Sequence, residues 1–97
     1  MMEAGRQITI DDFAGRVGKT FEVAVRGHRL SLLLDAMQDL PGSSRIGGAF
    51  RLEFLGPVDP VLDQGVFPFQ FARDCYELFI VPIARDQHGT RYEAVFF

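Results

Sequence analysis

The residues of this chain that could do chemistry are two histidines, one cysteine, a few serines and two closely spaced aspartates. His28 and His88 both fall in expected turns flanked by charged or polar residues, where a solvated imidazole is the ordinary outcome. A metal site needs three or four convergent ligands, and neither His-x-x-x-His nor Cys-x-x-Cys spacing occurs. Cys75 could act as a nucleophile only beside a histidine. It heads an apolar run, so the expectation is a small buried hydrophobe used for packing. Ser31, Ser43 and Ser44 lack the Gly-x-Ser-x-Gly frame of a nucleophile elbow. The stretch Gly42 to Gly48 offers backbone that could cradle an anion, but it lacks the Gly-Lys-Ser/Thr ending of a phosphate loop and reads as a hairpin loop. Asp59 and Asp63 could pair for acid–base work; separated by Pro60-Val61-Leu62, they read better as turn residues. No catalytic, cofactor-binding or metal-binding set is expected, and a non-enzymatic protein is.

The elements that would carry these residues are mostly strands. The segment Thr9-Ile10-Asp11-Asp12-Phe13 opens a short helix that Thr9 and Asp12 can cap. Gly15 and Gly18 limit it to about two turns, with Ile10, Phe13, Ala14 and Val17 on one side. Thr20 to Arg26 alternates, placing Phe21, Val23 and Val25 on one face. Gly27-His28 reads as the following turn. A strand from Arg29 to Met37 has Leu30, Leu32, Leu34 and Ala36 on one face, yet Leu33 and Met37 are apolar on the other. After the loop around 39–48, Phe50, Leu52 and Phe54 mark a third strand. Val66 to Ala72 forms a fourth, and Pro68 demotes it to an edge or bulged position. The chain closes with a hairpin: a near-continuous apolar run from Cys75 to Ile83, a turn around His88 and Gly89, then Tyr92 to Phe96. The expected fold is mainly β: about six strands in an antiparallel meander, a small barrel or two-sheet sandwich, with one short N-terminal helix.

Composition narrows the partners. At 97 residues the chain suits one domain, 1–97. A net charge of −3 with a single lysine, Lys19, argues against nucleic acid. The lone cysteine suits a reducing compartment. Neither a signal-like apolar segment nor a membrane-length run is evident, so a cytoplasmic location without membrane contact is expected. There are ten Phe, two Tyr and no Trp, and Phe supplies area without a polar handle. Phe21, Phe50, Phe54, Phe67, Phe69, Phe71 and Phe79 share a parity along several strands and should converge as a core. A Phe-lined ligand cavity is the alternative.

The second half carries a pattern of Phe54, Gly56-Pro57, Leu62, Gln64-Gly65, Leu78-Phe79, Val81-Pro82-Ile83, Asp86, Gly89 and Tyr92-Glu93-Ala94-Val95-Phe96. Ile10, Phe13, Val17-Gly18 and Phe21 extend it toward the N-terminus. In these residues the chain resembles a family of small bacterial proteins known as a domain of unknown function, departing at Phe97, where a small polar residue would be usual. The resemblance implies a stand-alone bacterial domain with no assigned reaction. From the residues themselves, Glu93 can face solvent, pair with Arg51 or Arg91, or accept hydrogen bonds from the Gln64-Gly65 loop. Alternation cannot bury both Phe96 and Phe97 on one face. Gln64, Glu93, Phe96 and Phe97 are therefore the candidate interaction surface. The expected function is a structural or protein-interaction module that self-associates or binds a protein partner; a small-molecule or lipid carrier is second.

Overall fold

Alternation dictates the first hairpin. In the computed structural model, which describes residues 8–41 and 49–96, β1 (Thr20–Val25) pairs antiparallel with β2 (His28–Leu40), from Thr20↔Leu33 to Val25↔His28. Phe21 and Val23 are buried while Thr20 and Ala24 are exposed, as a period of two requires. Only Arg26 and Gly27 remain for the turn, both at positive φ (49° and 81°). This is the primed turn whose twist matches a right-twisted hairpin. The turn thus sits one residue earlier than the sequence suggested, and His28 begins β2.

β2 explains its own mixed pattern. Its ladder with β3 (Ala49–Gly56) shifts register between Leu34 and Ala36, and such a bulge moves the following side chains to the other face. Leu32 and Leu34 are buried before it, and Met37 packs against the core after it. Leu33 stays outward and half-buried.

The remaining strands are β4 (Gly65–Phe71), β5 (Asp74–Asp86) and β6 (Gly89–Phe96). The six antiparallel strands close into a barrel in the order β1-β2-β3-β6-β5-β4. Two three-stranded meanders are joined along β3 and β6, from Phe50↔Phe96 to Gly56↔Thr90. The ring closes where β1 meets β4, and that seam consists of Glu22↔Gln70 and Val23↔Phe69 alone. Pro68 pairs with Glu77 in the β4–β5 ladder and lies one residue beyond the short seam with β1, so β4 is paired on both sides only near Phe69 and Gln70. The closing hairpin is central as expected, with β5 paired to β4 on one side and β6 on the other.

The interior is packed with rings. Phe21, Phe54 and Phe69 lie fully buried with centroids 4.7–6.4 Å apart. One end is plugged by the N-terminal segment, two single 3₁₀ turns (Ile10–Asp12 and Ala14–Arg16) that flank Phe13. The Thr9 backbone N–H donates to Asp12 Oδ2 at 2.8 Å, fixing the start of the first turn. Phe13 is fully buried against Phe21, Phe50 and Tyr76. Ala14 and Val17, expected on the same apolar side, are exposed, because the segment is two separate 3₁₀ turns and does not continue as an α-helix.

Candidate functional site

The outer surface of the barrel divides into a charged half and an apolar half. On β3 and β6, Glu53 and Glu93 face each other directly, an arrangement that is repulsive unless counter-charged. Arg51 supplies that charge: its Nε donates to Glu93 Oε2 at 2.7 Å and its Nη2 to Glu53 Oε1 at 2.9 Å. Arg91 continues the ladder, with Nη1 bonded to Glu53 Oε2 at 3.0 Å and to Asp35 Oδ2 at 2.8 Å. The Glu53 bond foremost, and then the Glu93 bond, raise the Arg51 pKa above its ordinary value; the Asp35 bond foremost does so for Arg91.

The apolar half lies on β4, β5 and the end of β6. Val66 stands opposite Phe79 across β4 and β5, and they are 58% and 52% exposed. Val81 follows Phe79 by one repeat of two and pairs with Glu93. One repeat beyond Glu93 on β6 comes Val95, 36% exposed. These side chains share a face because each has outward parity.

The barrel end opposite the Phe13 plug is built differently. Here the connection 57–64 crosses the mouth and tucks Leu62 into the core. Its anchor is Tyr92, fully buried, whose hydroxyl accepts the Leu62 N–H at 2.8 Å. Arg85 ties the outer edge by donating to the Val58 carbonyl at 3.0 Å and pairing with Asp59 at 2.5 Å. Gly89 is required at this corner: its φ is 142°, and a Cβ there would collide with the Gly56 carbonyl oxygen. Between this connection and the β1–β2 hairpin lies a cleft of about 560 Å³ whose walls include Val25, Arg26, Arg29, Leu62, Asp63 and Phe67.

The four residues singled out from sequence fall in separate places. Gln64 is exposed just before β4 at the cleft end. Glu93 sits mid-barrel in the charged ladder, so of its three expected roles the structure selects pairing with Arg51 over bonding to the Gln64-Gly65 loop. Phe96 is at the plug end, half-buried and stacked on Phe50 at 4.6 Å and 14°. Phe97, like the Gly42 to Gly48 loop, lies outside the described residues. Two packing expectations are corrected. Cys75 is exposed, and Phe79 stands outside the core. Both belong to the odd parity of β5, while Tyr76, Leu78 and Ile80 of the even parity are buried. β5 is apolar on both faces, so its pattern alone does not choose the inward one. Among the described residues, no group of three His, Cys, Asp or Glu could hold a metal ion, and no helix is long and apolar enough to cross a membrane. Asp59 serves as an ion-pair partner at the turn, apart from any acid–base pair with Asp63.

Sequence reasoning missed the cleft, whose walls come from two segments far apart in the chain (Val25 to Leu30 and Pro60 to Phe67). One signal was available: Arg26, His28 and Arg29 crowd a single turn in a chain of net charge −3. No curated protein and no solved structure matches this chain. A family model does match, over residues 8–96, and its span runs from the segment before the Phe13 plug to the last described residue of β6. The chain therefore belongs to the family described as Domain of unknown function (DUF6916).

Proposed function

We propose that this domain is a non-enzymatic protein-interaction module whose contact surface is the outer face of β4 and β5, with self-association as its form. The observation that carries this reading is the exposed Val66–Phe79 pair, flanked by Val81 and Val95, on a barrel whose adjoining outer face is a charge ladder. A contiguous exposed apolar patch on a sheet marks a partner surface. The exposed apolar side chains lie on a paired sheet face and the β1–β4 gap is short, so contact between copies is face to face rather than by strand addition. Two copies related by a two-fold axis would each present the same patch. The carrier reading finds less support in the interior, because Phe21, Phe54 and Phe69 fill it with rings in mutual contact.

Sedimentation velocity of the full chain across a concentration series tests the proposal. A concentration-dependent dimer is expected. Phe79→Ser should weaken it at least about tenfold, since burying a Phe side chain contributes roughly 1.5–3 kcal/mol. Circular dichroism should show the fold retained, because the site is exposed. A chain that stays monomeric at the highest concentration and retains no protein partner on an affinity column overturns the reading.

A further inference from the structure

We propose that the cleft between the β1–β2 hairpin and the 57–64 connection binds a small amphipathic acid, a carboxylate carried on a linear or flat apolar body. Three features of the cleft select that chemistry.

The first is its floor. Val25, Leu30 and Phe67 point into the barrel mouth and pack against the core, and Leu62 roofs them. β1 and β4 pair only at Glu22↔Gln70 and Val23↔Phe69, so toward Val25 and Phe67 the two strands are unpaired and the mouth gapes between them. A volume of about 560 Å³ lies within the usual range of small-molecule sites.

The second is its rim. Arg26, His28 and Arg29 all line the cleft. Four arginines outside the cleft are committed to carboxylates: Arg16 to Asp74, Arg51 to Glu53 and Glu93, Arg85 to Asp59, and Arg91 to Asp35 and Glu53. Among the described residues, Arg26 and Arg29 have no such carboxylate. Asp63 on the facing wall is one negative charge against two guanidinium groups, so the rim is net cationic within an acidic chain. A guanidinium fork matches a carboxylate in shape as well as charge.

The third is that each wall of the cleft is held by its own bonds. The Tyr92 hydroxyl holds the Leu62 backbone, Arg85 holds Val58 and Asp59, and the Arg26–Gly27 turn is a two-residue hairpin with no slack. A preformed cleft spares the ordering cost that a loose loop would impose on binding. A neutral apolar molecule would use the floor and leave the arginines idle; a short anion would do the reverse. The amphipathic acid uses both. The cleft and the apolar outer face are separate, so either proposal can fail without the other.

Titrations of the isotope-labelled full chain with octanoate, octanol and acetate, followed by amide chemical shifts, test the assignment. Octanoate should saturate, with shifts concentrated at residues 25–30 and 60–67, and octanol and acetate should each bind about tenfold or more weaker. The exposed pair of substitutions Arg26→Gln and Arg29→Gln should weaken octanoate by about tenfold while leaving octanol unchanged, the size expected for losing a charge-assisted pair. Failure of octanoate to saturate in the millimolar range overturns the proposal. So does octanol binding as well as octanoate, or a double variant that binds octanoate like the parent.

Discussion

The barrel is stopped at one end by a ring and at the other by a hydrogen-bonded strap. At the plug end, Phe13 is buried among Phe21, Phe50 and Tyr76. Arg16 then locks the segment from outside: Nη2 to Asp74 at 2.6 Å, Nη1 to the Tyr76 hydroxyl at 3.0 Å, and the guanidinium 4.6 Å from the Phe71 ring centre. The Asp74 bond is the main cause that raises the Arg16 pKa above its ordinary value. At the other end a single buried bond, Leu62 N–H to Tyr92, positions the connection. The ring seals the plug end with apolar volume, so the cavity there is lined largely by charged residues such as Asp11, Asp12, Arg16 and Asp74. The strap is tied at Leu62, Val58 and Asp59 and leaves apolar room between those ties and the β1–β2 hairpin. The difference explains why the cleft with an apolar floor lies at the strap end.

Three substitutions break or sharpen that contrast. Phe13→Ala should have the largest effect, about 3–5 kcal/mol of stability lost, since it removes a fully buried ring and leaves a cavity; urea unfolding measures it. Tyr92→Phe keeps the ring but orphans the buried Leu62 N–H, which should cost about 1–3 kcal/mol. Its distinguishing sign is faster hydrogen exchange confined to residues 61–65, with the plug end unchanged. Arg16→Met should cost least, about 1 kcal/mol, because the Asp74 partner is half exposed and solvent screens the pair. Being an electrostatic loss, it should shrink further at high salt. If Tyr92→Phe proves more costly than Phe13→Ala, the strap rather than the plug governs closure.

What could be read from the chain depended on whether a strand had one apolar face or two. β1 was legible because Phe21 and Val23 alternate with Glu22 and Ala24. The charged ladder was half legible: Arg51 was among the partners that Glu93 could take, but the Arg51–Glu53–Arg91–Asp35 continuation required knowing that β3 lies between β2 and β6. β2 was ambiguous because the bulge between Leu34 and Ala36 switches parity, and nothing local at Asp35 announces it. β5 was misread at Cys75 and Phe79 for a different reason. Its outward residues include Phe79 and Val81, so both parities look like core. That same ambiguity is informative in retrospect, since a strand apolar on both faces in a closed barrel must show one of them to the outside. The cleft was illegible because it depends on non-local closure that brings Arg26 and Arg29 beside Asp63.

The two-residue seam between β1 and β4 makes the barrel mechanically a split ring. Every other junction is a longer ladder, and β3–β6 in particular runs from Phe50↔Phe96 to Gly56↔Thr90. Separating β1 from β4 breaks the least hydrogen bonding of any opening that leaves both meanders intact, so the molecule breathes there first, with β3–β6 as its hinge. The β1 amides that face β4 should report this motion as the least protected of the barrel. Anything that spans from the β1–β2 turn to Phe67 acts as a fastener across the gap, and its presence would stiffen the ring as a whole.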